Sequence, residues 1–356
     1  MTAPPSTVHV VVPGDFDDRA RTSGGNVYDR RVCAGLVATG TAVRELPVAG
    51  TWPYPDDGAR AALTRVLAAV PPGDAVLLDG LVACGVPDVV APHAGRLRLV
   101  VLVHLPLGDE AGLAPAAAAE LTASERATLH AASAVVATSP WAARRIADVH
   151  GVPADRLHIA APGVDPAPLA PGGDGTRLLC VGSVTPTKGQ DLLVEALALV
   201  AGLTWTCRLV GPLVRDPAYV TALRRLIAQR GLGDRVRLIG PRTGPALDAT
   251  YAEADVLVLP SRAETYGMVV TEALARGIPV VAASVDGVPE TLGRAPDGTV
   301  PGLLVPPGDI AALTAGLRRW LGDAGLRDTA RRAARQRRED LDGWEVTARC
   351  LAKVLV

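Results

Sequence analysis

Two glutamates, Glu264 and Glu272, stand eight positions apart on either side of a predicted helix start at Gly267. Backbone N–H groups at a helix start have no partner inside the helix and carry the positive end of its dipole, so Gly267, Met268 and Val269 can receive a phosphate. A carboxylate accepts hydrogen bonds from paired hydroxyl groups, which suits Glu264 to a sugar and Glu272 to a ribose. The segment predicts a site for a nucleoside diphosphate sugar. An ordinary strand–helix unit with two solvated glutamates is the alternative.

Short apolar runs alternate with amphipathic helical segments along the chain, which is the pattern of βαβ units on a mostly parallel sheet. In the first half we predict a helix that begins near Ser23 and strands at 8–12, 75–78, 99–103 and 134–137. In the second half we predict helices at 191–201, 218–230, 268–276 and 310–320, and strands at 178–181, 206–210, 236–239, 255–259 and 279–282. We therefore expect an α/β chain of two doubly wound, Rossmann-like domains, with ligands in the cleft between them.

The length of 356 residues also favours two domains, because one hydrophobic core rarely grows to serve such a chain. The stretch from Ala161 to Gly175 is rich in Ala, Pro and Gly and has no periodic apolar pattern, so it is the predicted linker. We expect an N-terminal domain over 1–168, a C-terminal domain over 169–338 and a last helical segment over 339–356.

Composition narrows the choice of function. The chain is 49% hydrophobic and 21% charged, which is typical of globular proteins. It shows neither an apolar run of membrane-spanning length nor a secretion signal, so the cytosol is the predicted location. The five cysteines are widely spaced without a CxxC pair, which favours buried thiols over disulfides or a zinc site. Residues 1–172 carry a net charge of −4 and the remainder +3, which argues against nucleic acid or anionic lipid as a partner.

The chain resembles glycosyltransferase family 4, a family of retaining enzymes with the GT-B fold. The resemblance rests on the spacing from Glu264 to Glu272 and on the segments 279–282 and 287–290 that follow it. Further segments match in the expected order: Ser23-Gly24-Gly25, Val103-His104, 135–139, 162–165 and the strand with its basic loop at 179–189. The helix that begins near Trp344 resembles the closing helix that returns to the first domain in this family. Core packing is the other explanation for Trp344.

The resemblance implies a role for each matching residue. Lys188 would neutralise the donor diphosphate, and Gly24 and Gly25 would let the backbone close over the diphosphate or the acceptor. His104 would bond a hydroxyl of the transferred sugar or steady charge at the reaction centre. The loop around Arg242 would lie by the nucleotide base. A surface lysine, a plain helix-entry turn, a structural histidine and an unliganded turn are the respective alternatives.

The expected site follows from these roles. The expected catalytic residues are His104, Lys188 and Glu264. The expected donor-binding residues are Gly24, Gly25, Ser183, Lys188, Arg242, Glu264, Tyr266, Gly267, Met268, Val269 and Glu272.

Ser183 is a departure from the family pattern, because members commonly carry arginine at this position, five residues before Lys188. Arginine and lysine together balance the charge of the leaving diphosphate, so the serine removes a charge-assisted contact. Arg242 and Arg262 are the candidates to replace it.

The family mechanism implies attack by the acceptor hydroxyl on the face from which the diphosphate departs, with a leaving phosphate oxygen taking the proton. Lys188 and the helix start at Gly267 would stabilise the leaving group, so we expect no cofactor and no metal. Two Asp-x-Asp triplets, 15–17 and 340–342, lie far from the donor segment and are predicted to be solvated carboxylates.

The acceptor is predicted to be soluble and small, with a cationic molecule such as an amino sugar as one option. A lipid-directed relative would need a basic amphipathic surface, whereas the Ala-rich region 111–132 has Arg126 as its only basic residue besides His130. The alternatives are a sugar phosphorylase or nucleotide-sugar hydrolase, a lipid-directed transferase of the same fold, and a non-catalytic nucleotide-sugar binder. A dehydrogenase is disfavoured, because no GxGxxG follows the first strand.

Overall fold

The computed structural model describes residues 7–18 and 23–355. Within them the chain divides into two compact units: the first contains 7–18, 24–163 and 343–355, and the second contains Ser23 and 164–342. The boundaries between the two units therefore lie before the predicted residue 168 and after the predicted residue 338. The backbone explains the difference, because the N–H of Val164 donates to the carbonyl of Asp342 at 2.9 Å and joins both segments to the second unit.

The elements alternate as βαβ units require. Those of the first unit are β1 Thr7–Pro13, α1 Gly24–Ala38, β2 Ala42–Val48, α2 Asp57–Ala68, β3 Ala75–Asp79, α3 Gly80–Ala83, α4 Pro87–Val90, β4 Arg98–Val103, α5 Pro115–Ala131, β5 Ala134–Ala137, α6 Pro140–His150 and β6 Leu157–Ile159. Those of the second are β7 Arg177–Val181, α7 Gln190–Ala198, β8 Thr206–Val210, α8 Pro217–Gln229, β9 Val236–Gly240, α9 Pro245–Ala252, β10 Val256–Leu259, α10 Met268–Ala275, β11 Val280–Ala283, α11 Val288–Leu292, β12 Gly302–Val305, α12 Ile310–Gly322 and α13 Ala324–Arg337. The last helix, α14 Trp344–Leu355, belongs to the first unit.

Each unit contains a parallel sheet of six strands in its described part. The strand order is β2-β1-β3-β4-β5-β6 in the first and β12-β11-β10-β7-β8-β9 in the second. The order reverses between β1 and β3 in the first sheet and between β7 and β10 in the second. At such a point the loops after the two strands diverge and leave room for a ligand at the carboxyl edge. The prediction of two doubly wound α/β domains is confirmed.

Apolar side chains cover both faces of each sheet, as expected for parallel strands. Val76, Leu77 and Leu78 of β3, for example, are each at most 1% exposed. On one face of the first sheet the cluster includes Leu351 and Val354 of α14. The last helix is therefore part of the core of the unit that contains the first strand.

Side chains of α12, of α13 and of the residue after α13 bind the predicted linker. Arg338 donates to the carbonyl of Ala167 at 2.8 Å, and Arg331 donates to that of Gly173 at 3.2 Å. The indole of Trp320 donates to the carbonyl of Gly175 at 2.9 Å. These donors satisfy carbonyl groups that a segment without secondary structure cannot pair by itself.

In the part of the chain that the structure describes, none of the helices combines the length and the apolar character needed to span a bilayer.

Candidate functional site

Lys188 and Glu264 meet at the switch point of the second sheet. Lys188 lies in the turn after β7, Glu264 lies in the loop after β10, and the two strands are neighbours. The ammonium Nζ of Lys188 donates to Oε2 of Glu264 at 2.5 Å. Both side chains remain in part accessible, at 27% and 13% exposed. The sequence predicts one partner in the donor for each residue, and the structure adds that they bind each other.

Backbone contacts hold the two loops together. Gly189 has a φ of +67°, and a Cβ at this position would overlap the carbonyl oxygen of Pro260. A glycine therefore lets the turn of Lys188 pack directly on the exit of β10. The N–H of Arg262 donates to the carbonyl of Thr187 at 2.8 Å.

The side chain of Arg262 strengthens the same junction and is engaged within the protein. Its guanidinium donates to the carbonyl of Pro186 at 2.6 Å and to both carboxylate oxygens of Asp191 at 2.9 and 2.7 Å. The pKa of Asp191 is lowered, because the hydrogen bonds from Arg262 and Tyr219 outweigh the opposing effect of burial. Arg262 therefore positions the loop of Lys188, and it does not have the freedom expected of a replacement for the arginine missing at 183.

The loop of Glu264 is fixed from the opposite side by the loop after β11. Asp286 accepts a hydrogen bond from the N–H of Glu264 at 2.9 Å, and the N–H of Gly287 donates to the carbonyl of Glu264 at 3.1 Å. Asp286 has a φ of +48°, a left-handed conformation that aspartate tolerates better than most residues. The N–H and the carbonyl group of Glu264 are thus both hydrogen-bonded to this loop, which fixes the backbone that carries the carboxylate.

Helix α10 begins beside Glu264 with donors that it cannot satisfy itself. Gly267 caps the helix with a φ of +86° and no side chain, and Met268 and Val269 follow in its first turn. Their N–H groups have no carbonyl partner within the helix, so they are the donors that a diphosphate requires. Tyr266, before the cap, is half-buried, and burial raises the pKa of its phenol to about 12.

Glu272 lies one helix turn further on, within a hydrogen bond of Tyr251. The phenol of Tyr251 donates to Oε2 of Glu272 at 2.6 Å, and the guanidinium of Arg276 lies 4.6 Å from the centre of the tyrosine ring. Burial raises the pKa of Glu272, and the hydrogen bond from Tyr251 opposes this effect. The carboxylate has four lone-pair sites, so the bond from Tyr251 leaves acceptors for a ribose.

Ser183 and Arg242 occupy equivalent places on two strands of the second sheet. Val181 pairs with Val210, and Val210 pairs with Gly240, so residues 181 and 240 lie at the same level of the sheet. Ser183 and Arg242 each follow two positions later, beyond the carboxyl edge. Arg242 is exposed there, whereas Ser183 is half-buried.

In the first unit, His104 meets two carboxylates that the sequence pattern did not single out. His104 follows β4, Asp79 ends β3, and Asp29 lies in α1, which follows β1. The imidazole Nε2 of His104 lies 3.0 Å from Oδ1 of Asp29. Asp29 and Asp79 are only 3% and 5% exposed. Since Asp79 ends an apolar strand just as His104 follows one, this position was the signal that could have revealed it.

The two predicted glycines lie at the start of α1, next to this cluster. Gly24 is the exposed first residue of the helix. A Cβ on Gly25 would lie 3.2 Å from Cδ2 of His104, so the histidine ring packs where a larger residue has its side chain. Tyr28 contacts the ring of His104 edge-on, with centroids 5.2 Å apart, and Trp344 of α14 contacts Tyr28 in the same way at 5.8 Å.

The charges of the cluster change its protonation. Burial lowers the pKa of His104, but the neighbouring Asp29 carboxylate outweighs burial and raises the pKa to about 9. Burial, assisted by the charge of Asp29, raises the pKa of Asp79 to about 7. One oxygen or nitrogen from each residue lies within 4.8 Å of the others, which a cation could also use. The 3.0 Å contact of His104 with Asp29 is a hydrogen-bond distance, so we assign protons to the cluster.

Two family profiles cover nearly the whole chain. The profile described as Glycosyltransferase Family 4 matches residues 6–168, and the one described as Glycosyl transferases group 1 matches residues 165–337. The chain belongs to glycosyltransferase family 4. The resemblance stated from the sequence is thereby confirmed.

Relatives of similar sequence are named D-inositol 3-phosphate glycosyltransferase. One from Catenulispora acidiphila is 36% identical over 75% of this chain and 66% of its own length. Another from Jonesia denitrificans is 31% identical over 67% of this chain and 61% of its own length. The chain thus matches less than two thirds of the length of these relatives.

Two solved structures share the GT-B fold of this chain. Sucrose-phosphate synthase from Thermosynechococcus elongatus has a TM-score of 0.78 at 22% identity and covers 98% of both chains. Anabaena HepE in complex with UDP-glucose has a TM-score of 0.76 at 19% identity and covers 98% of this chain and 99% of its own.

Proposed function

We propose that this family 4 protein is a retaining glycosyltransferase that moves a sugar from a nucleoside diphosphate sugar to a hydroxyl group of a small acceptor. The observation that carries the proposal is the pairing of Lys188 with Glu264 at the switch point, beside the first N–H groups of α10, which have no carbonyl partner within the helix. The ammonium group and the helix start suit the diphosphate of one donor, and the carboxylate suits the hydroxyl groups of its sugar.

The donor would bind without displacing the pair. An ammonium has three N–H donors, and Glu264 accepts from one of them, so Lys188 can bond a diphosphate oxygen at the same time. The other oxygen of Glu264 then remains for the sugar hydroxyls. Glu272 would bind the ribose, and the amides of Met268 and Val269 the diphosphate.

The transfer step would proceed on one face of the sugar. The bond from the anomeric carbon to the diphosphate oxygen breaks, the bond to the acceptor oxygen forms, and the acceptor proton passes to a leaving phosphate oxygen. Lys188 and the dipole of α10 stabilise the charge that develops on the diphosphate, so we expect turnover in the presence of a chelator and without an added cofactor. His104 would contribute a hydrogen bond to the transferred sugar.

The acceptor is proposed to be a small hydroxylated molecule. The names of the relatives make D-inositol 3-phosphate the first compound to test. Because the similar HepE structure is a complex with UDP-glucose, this nucleotide sugar is the first donor to test.

Nucleotide binding is the first measurement. UDP, GDP, ADP and TDP are added separately, and the temperature of the thermal unfolding transition is recorded, since a ligand that binds the folded state raises this temperature. We expect one nucleotide to raise the transition in the wild type and in Lys353→Ala, and to have little effect on Lys188→Ala. Lys353 is exposed on α14 and is the other lysine of the chain, so it is a matched control. A response to none of the four nucleotides would contradict the proposal.

Product analysis is the second measurement. Wild-type protein is incubated with UDP-glucose and other UDP-sugars, with and without D-inositol 3-phosphate, and with inorganic phosphate in a separate reaction. Transfer with retention gives a glycoside whose anomeric proton shows the configuration of the donor. A sugar phosphate formed from inorganic phosphate identifies a phosphorylase, free sugar identifies a hydrolase, and an inverted product contradicts the retaining mechanism.

A further inference from the structure

The cluster of His104, Asp29 and Asp79 contains two acids that are almost out of contact with water and one base that is 21% exposed. Three separate elements supply the residues at the carboxyl edge of the first sheet, next to its switch point. Two ionised carboxylates at this distance would repel each other at a high cost in a buried place. The arrangement is therefore stable only if protons neutralise most of the charge.

The hydrogen bonds define how many protons are needed. Oδ1 of Asp29 faces Nε2 of His104, and Oδ1 of Asp79 accepts from the N–H of Leu81 at 2.7 Å. Oδ2 of Asp29 is buried and no protein donor reaches it among the described residues. A proton on Asp79, which interacts with Asp29 as a hydrogen-bond partner, provides that donor. A second proton on the imidazole then gives Asp29 a cationic partner and leaves the cluster neutral overall.

We propose that Asp29 is a positioning residue that holds His104 as an imidazolium, so that His104 acts in the transfer only as a charged hydrogen-bond donor. The inference rests on the proposed function, because it specifies how His104 takes part in that reaction. It assigns no role as a base to His104, in keeping with a step whose proton goes to the leaving diphosphate. A charged donor bonds an oxygen about twice as strongly as a neutral one does.

The surrounding groups agree with this assignment. Tyr28 faces His104 from α1, and its pKa is raised by burial, so it stays neutral. Burial raises the pKa of the Cys33 and Cys84 thiols, so both stay neutral as well. Asp29 is therefore the anion that faces the imidazole. Since the pKa of His104 is raised to about 9, the charge should persist through neutral pH and be lost as the pH rises through that value.

The same unit contains a second pair of this kind, which serves as a control. Nε2 of His9 lies 2.9 Å from Oδ2 of Asp74. His9 is in β1, 3% exposed, and Asp74 immediately precedes β3, so this pair lies away from the carboxyl edge. Asp74→Asn removes a carboxylate from a buried histidine just as Asp29→Asn does, at a place that the transfer does not use.

Nitrogen NMR of the histidine side chains tests the protonation state without any need for turnover. The His104 signal is assigned by its absence in His104→Gln, and the protein is titrated from pH 5.5 to 9.5. We expect the cationic pattern for His104 up to about pH 8 in the wild type and in Asp74→Asn. In Asp29→Asn we expect neutral imidazole at pH 8. A neutral His104 at pH 7 in the wild type would overturn the inference, and this arm decides even if Asp29→Asn does not fold.

The pH profile of transfer tests the role. We expect kcat/KM of Asp29→Asn to be more than tenfold below wild type at pH 8 and to recover several-fold relative to wild type at pH 6, where the imidazole regains its proton. His104→Gln should lose activity without this recovery, and Asp74→Asn should follow the wild-type profile. An equal loss for Asp29→Asn at both pH values would overturn the proposal. If no variant and no wild-type sample transfers sugar, the proposed function fails, while the NMR titration still decides the state of His104.

Discussion

Arg262 and Asp191 form a two-point ion pair, with guanidinium nitrogens 2.9 and 2.7 Å from the two carboxylate oxygens. Because the same guanidinium bonds the carbonyl of Pro186, the pair fastens the turn of Lys188 to the loop that carries Glu264. The distance between Lys188 and Glu264 is therefore set in part by an ion pair outside the proposed donor contacts.

Loss of this fastening should weaken donor binding. We expect Arg262→Ala to raise the nucleotide Kd about tenfold, which corresponds to about 1.4 kcal/mol, because Lys188 is no longer held beside the diphosphate position. Titration calorimetry measures the effect. Arg230→Ala is the control, since Arg230 makes a similar two-point pair with Glu195, at 2.8 Å for both bonds, elsewhere in the second unit. An equal rise of the nucleotide Kd in both variants would show that Arg262 affects binding only through the general stability of the protein.

A side chain at position 25 should move His104. In Gly25→Ala the added Cβ would lie 3.2 Å from Cδ2 of the imidazole, so the ring must shift by a few tenths of an ångström. We expect kcat/KM to fall about tenfold, because small displacements of a reacting group are costly, while the nucleotide Kd stays the same. Gly95→Ala is the control, since its Cβ would meet open space. Unchanged turnover in Gly25→Ala would contradict the predicted role of His104.

Tyr251→Phe should make donor binding more sensitive to acid. Burial already raises the pKa of Glu272, and removal of the tyrosine hydroxyl takes away a hydrogen bond that favours the ionised carboxylate. Since the ribose needs the ionised form, nucleotide affinity should fall as the pH drops, and in the variant the fall should begin at a higher pH. Calorimetry from pH 5 to 8 follows this. Superimposable curves for variant and wild type would exclude Glu272 as the ribose acceptor.

Arg242 is the cation that we expect to take the place of the arginine missing at 183. It is exposed at the level of Ser183 on the same sheet edge. Arg242→Ala should raise the nucleotide Kd about tenfold, and Ser183→Arg in that background should restore part of the affinity. Arg237→Ala, on the exposed side of β9, should have no effect. A normal Kd in Arg242→Ala would leave Lys188 and α10 as the donor's cationic partners.

Asp79→Asn should flatten the dependence of stability on pH. The folded pKa of Asp79 is about 7 against an ordinary 3.8, so between these values the unfolded chain has lost a proton that the folded chain keeps. The wild-type free energy of unfolding therefore falls with rising pH, by up to about 1.4 kcal/mol per pH unit from this residue. Hydrogen exchange of β3 amides at pH 4.5, 5.5 and 6.5 measures it. The same slope in both proteins would contradict a protonated Asp79.

The sequence predicts the inner strands of both sheets and misses three strands at their edges. Inner strands are continuous apolar runs because helices cover both faces. The missed strands are β2, β6 and β12. In β2 the apolar pattern is interrupted by Arg44 and Glu45, which are exposed, whereas the three residues of β6 and the two central residues of β12 are not fully buried. Edge strands pack on fewer neighbours, so their composition carries little signal.

The sequence proposes individual site residues and does not reveal the contacts between them. Lys188 and Glu264 were identified separately, but their bond joins positions 76 apart and depends on which strands are neighbours. Asp29 is harder to identify, because one aspartate in a helix resembles a solvated residue. Its position one helical turn after Gly25 has meaning only once β1, β3 and β4 are known to lie side by side.

The packing of α14 has a consequence for the order in which the two units can fold during synthesis. Leu351 and Val354 belong to the same cluster as Val8, Val10 and Tyr28, so the core that contains β1 is complete only when α14 has joined it. Apart from Ser23, the described part of the second unit is made in one continuous run from 164 to 342. Residues 164–342 can therefore fold before α14 is made, whereas Tyr28 and the histidine that it contacts wait for α14.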